Sequence, residues 1–167
     1  PQYHHLVLDN AFAHIIFENL ATPKTLSVGD VIGGYDDDVI DPYTLERDLA
    51  AGTITIPAGQ SGWYFLAFNF YFEAPKNTDY VITLFANGVP SRARCVAKLG
   101  AQGDEAARSW SGMVAVADTG APIVVDLRYE YSSVASQTIA LSNINFSLHR
   151  QIGAIPGAEI ATTNFFN

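Results

Sequence analysis

The sequence predicts an all-β protein, a β-sandwich or jelly roll, and three observations carry that prediction. About eight to ten short segments rich in β-branched and aromatic residues are separated by clusters of Gly, Pro, Asn and Asp. No segment holds the helical apolar period for the length of a convincing helix. The most aromatic stretch, Gly62–Phe72 (GWYFLAFNFYF), is apolar on both faces when extended. Tyr64, Leu66, Phe68, Phe70 and Phe72 share one face; Trp63, Phe65, Ala67, Asn69 and Tyr71 share the other. Such a strand needs cover on both sides. One cover is the opposite sheet of its own domain, and the economical source of the other is further copies of the chain.

The remaining segments follow in order. After Leu6-Val7-Leu8, the run Ala11–Phe17 reads as a strand, with Ala11, Ala13, Ile15 and Phe17 on one face and Phe12, His14 and Ile16 on the other. A turn at Thr22-Pro23-Lys24 leads into Thr25–Ile32, which Gly33-Gly34 breaks. Tyr35–Asp38 opens a polar loop closed by Asp41-Pro42, and Tyr43–Leu49 is a further strand or a helical turn. Gly52–Ile56 alternates and stops at Pro57, ahead of the aromatic strand. Thr78–Ala86 is a second strand apolar on both faces, Tyr80, Ile82 and Leu84 against Val81 and Phe85. Asn87-Gly88 marks a tight hairpin, because both central residues of a type I′ turn need positive φ, and Ser91–Leu99 pairs back. Arg108–Ala117 is the next strand. Ile123–Tyr131 alternates cleanly, with Ile123, Val125, Leu127, Tyr129 and Tyr131 inward and Asp126, Arg128 and Glu130 on a wet side. Thr138–Leu148 closes the sandwich. The expected organisation is an N-terminal arm with the first strand over 1–24, a jelly-roll domain over 25–150, and an apolar C-terminal arm over 151–167.

Composition narrows the function classes. Hydrophobic residues make up 49% of the 167 and charged residues only 16%, a deficit of charge that points to surface covered in an assembly. The net charge of -8 argues against nucleic-acid binding, which wants a basic face. Cys95 is the single cysteine, so no intrachain disulfide forms. No apolar run is long enough for a membrane helix. The first residues, PQYHHLVLDN, lack the basic and apolar regions of a signal peptide.

From Thr53 to Leu148 the chain resembles the C1q/TNF-like jelly-roll superfamily, the globular C1q head in particular. The residues that carry the resemblance are Ile54-Thr55-Ile56-Pro57, then Gly62, Tyr64 and the aromatic run. The apolar strand ending in Asn87-Gly88 and the closing Asn145-Phe146-Ser147-Leu148 continue it. The sequence departs from the superfamily pattern by two extra residues between Pro57 and Gly62, by lacking Phe-x-Gly in its closing strand, and by having no collagen-like stalk. The resemblance implies a homotrimer with aromatic strands at its axis. With the two-sided strands, it makes Trp63, Phe65, Phe68, Tyr71, Tyr80 and Phe85 the expected trimer interface. It does not transfer a function, because one fold hosts many.

Few residues suggest chemistry. Asp36, Asp38 and Asp41 form an acidic loop that a C1q-like reading makes a Ca²⁺ candidate, but the spacing lacks the EF-hand pattern and a solvated turn is the preferred reading. His4, His5, His14 and His149 have no cysteine or HExxH partner and read as surface or interface residues, so no metal or cofactor is assigned. Cys95 has no nameable base, and neither Ser61 nor Ser111 fits the nucleophile-elbow frame. Trp63 and Trp110 are weighed as sugar-stacking platforms; Trp63 reads as a packing residue and Trp110 is left open. Asn145-Phe146-Ser147 fits a glycosylation sequon inside a strand and is discounted. Arg92, Arg94, Lys98 and Arg108 could bind an anionic surface, with ion pairs within or between subunits preferred.

The expected function is therefore non-enzymatic: a trimeric structural virion protein, a capsid decoration (cement) or fibre protein on a virion surface. Its partners would be itself and a major capsid protein, reached through Phe12, Ile15, Phe17, Ile155, Ile160, Phe165 and Phe166. The alternative is an extracellular C1q-like recognition head for glycans or proteins. A jelly-roll enzyme ranks last, since no cluster of His and carboxylate ligands occurs in the strands.

Overall fold

The computed structural model describes residues 11–38 and 45–153, and everything described is strand, turn or loop. The first sheet contains β1 (Phe12–Glu18), β2 (Lys24–Leu26), β3 (Asp37–Asp38), β6 (Gly62–Glu73), β9 (Glu105–Val116) and β11 (Ile139–Gly153). Its order is β3-β1-β11-β6-β9, with β2 also paired to β11. The second sheet has β4 (Glu46–Asp48), β5 (Thr53–Ile56), β7 (Thr78–Ala86), β8 (Val89–Leu99) and β10 (Ile123–Ser132), in the order β4-β5-β10-β7-β8. All pairings are antiparallel. This is an all-β jelly-roll sandwich, as the alternation and turn spacing predict.

The core lies between the sheets. Tyr64, Leu66, Phe68, Phe70 and Phe72 of β6 are almost wholly buried, and Phe146 and Leu148 of β11 lie beside them. Tyr80, Ile82 and Leu84 of β7 with Leu127 and Tyr129 of β10 fill the facing side. The two layers meet where the Phe72 ring stands edge-on to Tyr80 at 5.4 Å. Burying each such ring contributes roughly 1.5–3 kcal/mol. A buried phenol must also satisfy its hydroxyl. Tyr64 donates to the Gln60 carbonyl at 2.6 Å, Tyr80 to Pro75 at 2.7 Å and Tyr129 to Gln137 at 2.7 Å. Each of these tyrosines thus fastens a connecting loop to its end of the core.

Three local expectations change. The segment Thr25–Ile32 is a strand only over Lys24–Leu26, because a turn intervenes: Asp30 donates its backbone N–H to the Ser27 carbonyl, and Ser27 donates to the Asp30 carboxylate at 2.8 Å. The chain rejoins the second sheet at Val31 and Ile32 beside Arg128 and Leu127. Gly33 then crosses the Ala50–Gly52 turn so closely that a Cβ at Gly33 would lie 2.5 Å from the Ala50 carbonyl oxygen. In β10 an irregularity between Tyr129 and Tyr131 shifts the register, so Tyr131 turns outward and Ser132 inward, against the simple alternation. Finally, β6 and β7 lie in different sheets and present their outer faces on opposite sides of the sandwich. They cannot form one apolar seam together. The Asn87-Gly88 hairpin is as expected, with φ of 49° and 78°.

Candidate assembly interface

The outward face of β6 carries two large apolar side chains, Trp63 and Phe65, that remain exposed. Strand register arranges them in rows. At one end Phe12, His149, Phe65 and Met113 run across β1, β11, β6 and β9. Phe12 stands edge-on to His149 at 5.7 Å. Trp63 lies two residues further along β6, opposite Ala115. Trp63 and Phe65 are each 40% exposed and Met113 47%, although all three stand on regular strands. Large apolar side chains grouped in this way mark a surface for association. Covering the open part of each would contribute roughly 1–2 kcal/mol.

The chemistry changes along the face. The next row has no large apolar side chain: His14, Ser147, Ala67 and Ser111. An amide ladder follows, in which Asn145 donates to Asn69 at 3.1 Å and to Asn143 at 3.2 Å, with His14 Nε2 3.3 Å from its side-chain carbonyl oxygen. The far end is acidic. Glu18, Asn143, Tyr71 and Ala107 share a row, and Glu73 pairs with Glu105 beyond them. Tyr71 donates to Glu105 at 2.6 Å. That hydrogen bond first, then partial desolvation and the charges of Glu105, Glu73 and Asp104, push the phenol up to about 12.

The other expected interface residues fall elsewhere. Phe68 and Tyr80 are 1% exposed and belong to the core, so they have no surface to offer a neighbour. Phe85 lies on the outer face of the second sheet, under the Arg128 guanidinium at 4.4 Å from its ring centroid. Of the expected docking residues, Phe12 is on the outer face of the first sheet, whereas Ile15 and Phe17 point into the core. Ile155, Ile160, Phe165 and Phe166 lie outside the described residues. Asp36 accepts the Glu18 backbone N–H at 3.3 Å, Asp38 is in β3, and Asp41 lies outside the described residues. Among the described residues no group of three or more His, Cys, Asp or Glu could hold a metal ion. Trp110 is half-buried and stacks on Phe68 at 5.9 Å, which makes it a packing residue. Burial pushes the Cys95 thiol above its ordinary value, partly offset by Arg108, and its sulfur lies 3.7 Å from the Ser109 carbonyl oxygen. A protonated thiol of this kind is a poor nucleophile. Met113 and His149 complete the Phe12–Phe65 row, and the sequence does not single them out for it. Their membership depends on which strands flank β6, and alternation within one strand does not reveal that.

No protein-family model matches the sequence, and no curated protein is significantly similar to it. Solved structures do match. The Eiger TNF of S. frugiperda superposes with a TM-score of 0.60 at 10% identity, over 90% of this chain and 98% of that one. The globular domain of zebrafish complement 1qA protein gives 0.55 at 10% identity, over 86% and 98%. The PRD1 vertex protein P5 gives 0.48 at 10% identity, over 83% and 95%. The first two establish that the fold is the C1q/TNF-like jelly roll. At this identity they speak for fold alone. No described helix is long and apolar enough to cross a membrane.

Proposed function

We propose that the protein is a structural, self-associating subunit, a homotrimer that serves as a decoration or fibre component at a virion surface. The observation that carries the self-association is the uncovered outer face of β6, with Trp63 and Phe65 held open on a rigid strand. Low charge content supports it, because a chain with only 16% charged residues has little polar surface with which to cover such a face. The interface in this reading is reduced from the expected set to Trp63, Phe65 and Tyr71 of β6. Phe12, Met113 and His149 join them from the flanking strands. The amide ladder suits the centre of such a contact, since its members already satisfy one another and can be covered at low cost. The sandwich then acts as a rigid knob, and attachment to a major capsid protein falls to the segments beside it.

Sedimentation of the purified protein tests this directly. A trimer is expected for the wild type, and Trp63→Lys with Phe65→Lys is expected to leave a folded monomer. A wild type that sediments as a monomer at high micromolar concentration would remove the proposal. The extracellular recognition-head alternative makes a different prediction, namely that the isolated domain binds a glycan or protein ligand and is not incorporated into particles.

A further inference from the structure

We propose that the outer face of the second sheet is a saccharide-binding platform for an uncharged sugar ring, centred on Tyr131. A single copy holds the whole site, and it lies on the opposite side of the sandwich from Trp63, so the proposal does not depend on self-association. The site begins with the irregularity in β10. Tyr129 pairs with Ile82 and Tyr131 with Val81, which leaves Glu130 as an extra residue between them. Regular alternation would send Tyr131 into the core beside Tyr129. The bulge turns it outward instead, while Glu130 keeps to the same outer face and accepts a hydrogen bond from the Thr83 hydroxyl. Bulges re-aim side chains in this way beside functional sites. At 52%, Tyr131 is the most exposed aromatic side chain among the described residues.

Its row across the sheet is Tyr131, Val81 and Val96. Val81 is closed over by its neighbours and Val96 is open, so the row makes a shallow apolar floor with a ring at one end. Polar rows border it along the strands. On one side Asp79 stands opposite Lys98, with the Asp79 backbone N–H donating to the Ser133 hydroxyl at 2.8 Å. On the other side Arg94 lies 3.5 Å from Glu130. Area and charge together select the occupant. The floor is one side chain deep and three strands wide, roughly 10 Å across. That is far below the roughly 800 Å² each partner gives to a stable protein interface, and it matches one or two sugar rings. Each bordering row holds one acid and one base, so the face carries no net charge to attract an ionic ligand. A sugar ring offers the matching pair of chemistries: its C–H face packs on the phenol and the valines, and its hydroxyls reach the carboxylates and the guanidinium. The Glu130 carboxylate is already held by Thr83, which lowers the cost of ordering it. A site this shallow binds in the millimolar range, and many copies on one surface would raise the effective affinity.

Saturation-transfer NMR of the intact protein with maltotetraose, cellotetraose and chitotetraose tests the proposal. At least one of the three is expected to bind with millimolar affinity. Tyr131→Ala and Val96→Lys should each weaken it tenfold or more, and Tyr131→Phe, which keeps the ring, should retain it. Trp63→Lys with Phe65→Lys should leave it unchanged. Circular dichroism checks the folding of each variant. The proposal is overturned if none of the three sugars binds, if Tyr131→Ala binds as well as the wild type, or if a heparin tetrasaccharide binds while the neutral sugars do not. A lower sedimentation coefficient for Tyr131→Ala would likewise overturn it, since the face would then be covered by a second copy. Loss of sugar binding leaves the assembly reading standing, and a monomeric wild type that binds sugar removes the assembly reading alone.

Discussion

The two outer faces of the sandwich handle the same problem differently. Each belongs to a sheet whose inner side is filled with aromatic and branched residues, and each carries an outward aromatic on a central strand. On the second sheet the chain covers its own apolar residue. Arg128 lies over Phe85 and is fixed by two hydrogen bonds to Asp126, at 2.7 and 3.1 Å. Thr83 donates to Glu130, which also pairs with Arg94 at 3.5 Å. On the first sheet Trp63 and Phe65 stay open, and the row beside Phe65 offers only His14, Ser147, Ala67 and Ser111. An outward aromatic is thus not by itself an interface. What separates Phe85 from Trp63 and Phe65 is that the strand beside Phe85 supplies a cover.

The most demanding test of that contrast places charge on both faces. The Trp63→Lys and Phe65→Lys pair should abolish association, whereas Val96→Lys with Tyr131→Lys, at exposed apolar residues of the second sheet, should leave the sedimentation coefficient unchanged. Next in size is Arg128→Leu. Asp126 is only 5% exposed, and removing its partner strands a buried carboxylate. We expect a loss of about 3 kcal/mol in urea unfolding. The Tyr71 phenol supplies a spectroscopic test on the first face. Because its neutral form is favoured, its contribution is complete below the ordinary value near 10 and is lost as pH rises through about 12. Glu105→Gln should bring its ultraviolet titration back toward 10. Smallest is Arg94→Ala, since that pair is half in solvent. Less than about 1 kcal/mol is expected, vanishing in high salt.

Much of this architecture is legible in the sequence. The inward set of β6, the inward trio of β7 and the Asn87-Gly88 turn follow from a period of two and from the φ demands of one dipeptide. The failures share one cause, which is that a single strand does not announce its neighbours. In sequence Phe68 and Tyr80 look as available as Trp63, because alternation separates two faces without saying which is inside. β6 and β7 look like one seam because both are apolar on both sides, yet they face each other across the core. Tyr131 leaves its expected face through a register irregularity for which Glu130 gives no sequence signal. Ile15 and Phe17 read as an arm because their partners on β11, Phe146 and Ile144, are more than a hundred residues away.

That distance bears on how the protein is made. β11, the last described strand, occupies the middle of the first sheet, with β6 on one side and both β1 and β2 on the other. On a ribosome the aromatic strand must therefore wait, its hydrogen-bonding edge open, until β11 emerges. Closure of so non-local a sheet is slow. A nascent chain stalled before Ile139 would expose Phe68, Phe70 and Phe72 together beside an unpaired strand, which is a strong substrate for chaperones and for aggregation. Insertion of β11 becomes the step that commits the sandwich to its native form.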